Sequence, residues 1–175
     1  MDHNILSRER IYKGHAFNVE KLQVKLPDGR NKAYDLVDHN DSVTIIPVDE
    51  NNDIWFVRQY RVGSEKTLLE LPAGVMDEGE EPEECAKREI REEIGMAAAK
   101  FIHLISFYLA PGYCNEMNHV FVASELSKSP LDSDEDEFLE PVKFHKDKIK
   151  EIIKSGQLID SKSIAALYAA TQIFS

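Results

Sequence analysis

Gly74-Val75-Met76-Asp77-Glu78-Gly79-Glu80-Glu81-Pro82-Glu83-Glu84-Cys85-Ala86-Lys87-Arg88-Glu89-Ile90-Arg91-Glu92-Glu93-Ile94-Gly95 decides how the rest of this chain is read. Pro82 opens and Gly95 closes a helix, because proline suits a first helical position and glycine accepts the left-handed conformation that ends one. On a wheel of about 100° per residue, Ala86, Ile90 and Ile94 form one apolar arc. Glu89 and Glu93 lie one turn apart beside it, with Glu92 and Cys85 in the same acidic arc, while Glu84, Lys87 and Arg91 face solvent. Burying the apolar arc therefore aims the glutamates at one place beside the Ala73-Gly74 turn. Like charges one turn apart disfavour a helix by a few tenths of a kcal/mol each. A hard divalent cation offsets this: Mg²⁺ accepts one or two carboxylates and keeps room for phosphate oxygens. Arg88, at the edge of the arc, orients a glutamate instead of touching substrate.

Outward from this helix the chain is rich in strands. Residues 11–39 alternate apolar and polar around Pro27-Asp28-Gly29, which predicts two or more strands joined by a turn. Strands are expected at 43–48 and 54–57, flanking the turn Asp49-Glu50-Asn51-Asn52-Asp53, and again at 68–71, 101–107 and 119–125. Helical patterns cover 146–154 and 161–173. Strands with interspersed helices predict an α+β fold or mixed-sheet sandwich, not a doubly wound parallel sheet. Residues 1–40 form a small β subdomain and residues 41–175 the main domain. So small a β piece buries little core alone and is expected to dock on the rest of the chain or on a second copy, making a homodimer.

Lys and Arg number 21 against 32 Asp and Glu, a formal charge of −11. That argues against a protein held to nucleic acid by counterion release, yet leaves small phosphorylated ligands open if cations bridge them to carboxylates. Cys85 and Cys114 form no disulfide scaffold, and no secretory or membrane-spanning segment is visible. A cytoplasmic protein without a membrane partner is the simplest expectation. Cys85 reads as packing, since no motif pairs it with a histidine. The acidic run 132–137 lacks the glycine and terminal glutamate of a calcium loop and reads as a solvated loop.

The spacing Gly74, five residues, Glu80, seven residues, Arg88-Glu89-Ile90, one residue, Glu92-Glu93, one residue, Gly95 resembles the signature of the Nudix hydrolases without a substitution. Seven identities at about 6% each coincide by accident on the order of once in 10⁸ positions. Three further features look like the ADP-ribose pyrophosphatase branch: Gln59-Tyr60-Arg61, Glu70-Leu71-Pro72-Ala73-Gly74, and Pro111, sixteen residues beyond Gly95. Ala110 departs from the serine that many relatives carry before the Pro-Gly pair. The resemblance implies the Nudix fold, a mixed sheet between helices, and Mg²⁺-dependent hydrolysis of ADP-ribose or related nucleotide sugars to AMP and a sugar phosphate, with Mn²⁺ as an alternative metal. It implies Glu89, Glu92, Glu93 and the Ala73 carbonyl as metal ligands, and a base from the loop after Pro111, where Glu116 matches and Glu92 competes. Arg61 and Glu70 are the substrate-binding candidates, with Phe17 and Tyr34 for stacking the base. GDP-mannose hydrolysis, nucleoside triphosphate hydrolysis and a non-catalytic ADP-ribose sensor stand as alternatives.

Overall fold

A proline-started helix capped by a left-handed glycine sits between the strands, as its sequence requires. In this computed structural model, which describes residues 3–132 and 138–173, helix α1 spans Pro82–Ile94 and Gly95 adopts φ 69° with its N–H donated to the Ile90 carbonyl. Most of the acidic run expected as a solvated loop lies outside the described residues.

The chain divides into two units, Met1–Asp41 with Tyr108–Met117, and Ser42–Phe107 with Asn118–Ser175. In the first, β1 (Asn4–Lys13), β2 (Asn18–Lys25) and β3 (Asn31–Asp38) make an antiparallel sheet in the order β1-β2-β3. The turn expected at Pro27-Asp28-Gly29 joins β2 to β3. Gly29 takes φ 88° there and donates its N–H to Leu26. β2 alternates as an amphipathic strand, burying Glu20, Leu22 and Val24, whereas β1 is exposed along its whole length. The 108–117 segment, read from sequence as part of the main domain, is fastened to the end of β3. Val37 N–H donates to Tyr113 O at 2.7 Å, His39 N–H to Asn115 Oδ1 at 2.8 Å, and Asn115 Nδ2 to Asp38 Oδ1 at 2.9 Å.

The second unit holds β4 (Ser42–Pro47), β5 (Asp53–Arg61), β6 (Lys66–Glu70), β7 (Ala73–Val75), α1, most of β8 (Met96–Tyr108) and β9 (Met117–Lys128), and β10 (Glu140–His145). After β10 come a 3₁₀ turn at Lys146–Lys148, α2 (Ile149–Lys154) and α3 (Ser161–Ile173). One sheet runs β7-β4-β9-β8, with β4 parallel to β9 and antiparallel to β7; the other runs β10-β5-β6, all antiparallel. The predicted mixed architecture is therefore present. Alternation along β4 divides the core. Val43 and Ile45 meet Cys85, Ala86, Ile90 and Ile94 of α1, while Ile46 joins Ile149 and Ile152 of α2 and Ala166 and Leu167 of α3. Helices thus cover both faces, each seated by one parity of the same strand.

The seating of α1 is close. A Cβ at residue 74 of β7 would meet the Glu89 Cδ and Oε1 atoms at 1.9 Å, so the helix approaches β7 to a distance only glycine permits. Gly74→Ala is expected to lower stability by about 1–3 kcal/mol through forced displacement of α1 or Glu89. Gly63→Ala, where the added methyl meets nothing within 4 Å, is expected to stay within about 0.5 kcal/mol of the parent. Urea denaturation compares the two, and equal midpoints would refute the close approach.

Candidate active site

The acidic arc of α1 is not solvated. Glu89 and Glu93 are 7% and 4% exposed, and Glu92 is half-buried. Buried carboxylates require partners, and two kinds are present. The backbone supplies one, as Ala73 N–H donates to Glu93 Oε2 at 3.1 Å. Arg88 supplies the other. Its Nη1 donates to Glu89 Oε1 at 2.6 Å and Glu92 Oε2 at 2.9 Å, while Nε and Nη2 hold the two oxygens of Glu80, each at 3.0 Å. One guanidinium therefore ties three glutamates, as its planar fork allows.

The Arg88 contacts give a reason for the spacing from Glu80 to Glu92 in the signature. Glu80 sits in the turn before α1, where its carboxylate accepts the Asp77 N–H at 3.0 Å. It reaches forward to Arg88, which reaches on to Glu92 one turn later. Hydrogen bonding from Arg88 holds the Glu80 carboxyl below its usual range, and the same bonds, followed by the charge of Glu89, push the guanidinium well up. Glu80 was visible in the sequence as a signature position without a task; the structure supplies one. Cys85 is fully buried, and burial first, then the Glu89 charge, pushes its thiol far up, which suits packing and not nucleophilic chemistry. Arg91 differs from expectation. It is half-buried and its Nε donates to Ser129 O at 3.1 Å, because the chain after β9 folds back on the end of α1.

A second charged group lies at the ends of β5 and β6. Arg61 grips Glu70 with two bonds, Nε to Oε1 at 2.9 Å and Nη2 to Oε2 at 2.8 Å. Lys162, at the start of α3, donates to Glu70 Oε2 and pairs with Asp160 at 3.0 Å. Glu70 is 1% exposed. Burial opposes its charge most strongly, yet the Arg61 bonds and the Lys162 ammonium prevail and hold its carboxyl below the usual range. Arg61 is raised chiefly by its bonds to Glu70, and Glu93 is among the charges acting on it, so this group and the acidic arc share one field. The two substrate-binding candidates are bonded to each other. Lys162, which joins them, carried no signal in the sequence beyond its place near a predicted helix start.

Glu116 lies in the other unit. Its carboxylate stands 3.8 Å from His39 Nδ1, and its backbone oxygen accepts from Leu109 N–H. The loop after Pro111-Gly112 is bonded to β3 and the residues following it, with Met117 N–H also donated to Asp41 Oδ1 at 3.1 Å. Phe17 and Tyr34 are exposed on the N-terminal unit, where Phe17 meets Tyr12 at a ring distance of 6.3 Å and Tyr34 carries Lys32 over its face.

Among the described residues no group of three or more histidine, cysteine or acidic side chains is arranged to hold a metal ion. An open site for a hard cation needs less, because Mg²⁺ retains waters and takes one or two carboxylates with the remainder from substrate oxygens. Two buried carboxylates one turn apart, one of them in the space left by the absent Gly74 Cβ, are an all-oxygen donor set of that type. The residues present fit a divalent ion.

Depressed carboxyls make the unit acid-labile in a defined direction. Glu70 and Glu80 contribute stability that is fully present above the unfolded carboxylate pKa of about 4.3 and is lost as pH falls through their lower folded values. The thermal midpoint is expected to drop steeply below that pH. Glu70→Gln at neutral pH is expected to remove about 3 kcal/mol, since it leaves Lys162 and Arg61 without their common partner. Calorimetry across pH 3–7 checks both, and a Glu70→Gln midpoint equal to the parent's would refute the assignment.

A family description given as the NUDIX domain matches residues 38–162. An ADP-ribose pyrophosphatase of Bacillus subtilis (strain 168) is 33% identical over 95% of this chain and 91% of that protein. A methanol dehydrogenase activator of Bacillus methanolicus is 35% identical over 93% of this chain and 89% of its own length. A crystal structure of an ADP compounds hydrolase superposes with a TM-score of 0.89 at 26% identity, covering 98% of this chain and 94% of that one. Similarity running nearly end to end, together with a signature in which Arg88 bonds Glu80, Glu89 and Glu92, leads to one conclusion: the chain belongs to the Nudix family of hydrolases.

Proposed function

We propose that this protein is a Mg²⁺-dependent pyrophosphatase of ADP-ribose and related nucleoside diphosphate sugars, releasing AMP and a sugar phosphate. The observation that carries the reading is the buried pair Glu89 and Glu93 held against Ala73-Gly74. The names of the relatives, an ADP-ribose pyrophosphatase and an ADP compounds hydrolase, support the substrate class.

Glu89, Glu92, Glu93 and the Ala73 carbonyl are the residues proposed to hold the cation. A bound divalent ion neutralises the diphosphate and lowers the pKa of the attacking water. Arg88 keeps Glu89 and Glu92 pointed inward and offsets their mutual repulsion. Arg61 is held flat by Glu70 through Nε and Nη2, which leaves Nη1 for an anionic substrate oxygen. Glu70 supports Arg61 in this reading. Glu116 takes the proton from water, with His39 beside it, and Glu92 is the competing base. The full exposure of β1, with Ile5, Leu6, Ile11 and Tyr12 outward, favours a homodimer in which the N-terminal sheet meets a second copy. Phe17 and Tyr34 are the proposed stacking residues for the base. Two free buried cysteines suit a reducing cytoplasm, and no helix among the described residues is long and apolar enough to cross a membrane.

Glu93→Gln keeps an oxygen for the Ala73 N–H while removing the charge. It is expected to leave the circular dichroism spectrum unchanged and to lower ADP-ribose turnover at least about 100-fold, a loss on the order of 3 kcal/mol of transition-state stabilisation. Undiminished turnover would sink the proposal. A panel of ADP-ribose, ADP-glucose and GDP-mannose in H₂¹⁸O, read by mass spectrometry, is expected to rank the ADP compounds first and to stop on addition of EDTA. Faster GDP-mannose cleavage would move the substrate assignment, and binding without turnover would make the protein a sensor.

A further inference from the structure

We propose that Ser163 is a positioning residue, holding the turn between β6 and β7 through the Leu71 amide so that the Ala73 carbonyl stays on the acidic arc; this rests on the reading that Ala73 and the α1 glutamates bind a divalent cation. Three consecutive residues of that turn are anchored by three different elements. Leu71 N–H donates to Ser163 Oγ of α3 at 2.8 Å, Pro72 O accepts from Ile45 N–H of β4 at 2.8 Å, and Ala73 N–H donates to Glu93 Oε2 of α1 at 3.1 Å. Pro72 has no N–H of its own. The Leu71 amide is thus the last donor by which the chain is gripped before Ala73.

The serine hydroxyl is not needed by its own helix. Asp160 precedes α3, and its Oδ2 accepts the Ser163 N–H at 2.9 Å, which by itself completes an N-terminal cap. Yet the Ser163 hydroxyl also donates to that oxygen, at 2.6 Å, and so presents its lone pairs to Leu71. A hydroxyl that gives its proton to a carboxylate becomes a stronger acceptor. Ser163 is 0% exposed and Leu71 is fully buried, so no water stands in for either bond partner. The preceding residue is held from the same helix turn, because Lys162 donates to Glu70. The start of α3 therefore grips Glu70 and Leu71 in succession, 92 residues away in sequence.

The test uses the full chain in Ser163→Ala, Ser163→Thr and Asp160→Asn forms, with Glu93→Gln as reference. Three readouts are taken: amide exchange at Leu71, Mn²⁺ affinity by calorimetry without substrate, and kcat against KM for ADP-ribose. Ser163→Ala is expected to speed Leu71 exchange and to weaken Mn²⁺ binding about tenfold, lowering kcat more than it raises KM. Ser163→Thr, which restores the hydroxyl, is expected to return both binding and exchange to within about twofold of the parent. Asp160→Asn, which retains a cap acceptor, is expected to lie between them and carries the test should Ser163→Ala not fold. Faster exchange or a lower melting temperature with unchanged Mn²⁺ affinity would reduce Ser163 to a structural role and overturn the proposal. Glu93→Gln losing Mn²⁺ while Ser163→Ala keeps it would overturn the clamp alone. Both variants binding Mn²⁺ like the parent would overturn the metal reading and the clamp with it.

Discussion

The carboxylate of Glu89 occupies the space where a side chain at residue 74 would begin, and the rest of the second unit is arranged around that approach. A helix reaches a strand this closely only where the strand has no Cβ. Once there, it must bring partners for the carboxylates it buries. Arg88 meets this requirement for Glu89 and Glu92 and extends it to Glu80 in the preceding turn. The Ala73 amide meets it for Glu93. The apolar arc Ala86, Ile90 and Ile94 fixes the angle of approach against Val43 and Ile45 of β4. Packing and electrostatics therefore agree on a single position for α1.

A chain with a net charge of −11 that also buries carboxylates must manage repulsion inside and out. In the second unit Arg88 and Lys162 are each shared between carboxylates. Arg88 serves three glutamates, Lys162 joins Glu70 to Asp160, and Arg61 is pinned by Glu70 within the field of Glu93. Such sharing makes the site stiff, since moving one carboxylate disturbs the partners of another. Stiffness is what the proposed cation site would require, because ligand atoms must be held before an ion arrives. The start of α3 enters the same scheme through backbone, gripping the turn that leads into β7.

The N-terminal unit is organised on a different principle. Its sheet leaves β1 exposed, and its order near Glu116 comes from hydrogen bonds between the end of β3 and the 108–117 segment. Asn115 does most of this fastening, bonding both Asp38 and the His39 backbone. The segment that carries the proposed base therefore belongs to the unit formed by the first strands, although more than sixty residues of the other unit intervene in sequence.

Local chemistry determined much of this protein without any tertiary information. Pro82, Gly95 and the 3.6-residue spacing of Ala86, Ile90 and Ile94 specify α1 and its buried face, because helix ends and amphipathic arcs depend on neighbours a few residues apart. Most of the strands, the Gly29 turn and the acidic arc were legible for the same reason, whereas most of β1 and all of β7 and β10 were not read. The tertiary structure alone decided what faces that arc from elsewhere in the chain. Lys162 and Ser163 reach Glu70 and Leu71 across 92 residues, and Arg91, read as solvated, is drawn to Ser129. The segment carrying Glu116 is bonded to β3 through Tyr113 and Asn115. Such pairings leave no periodicity in a sequence. They arise only when burial forces each polar group to find a partner, and the fold determines which one is within reach.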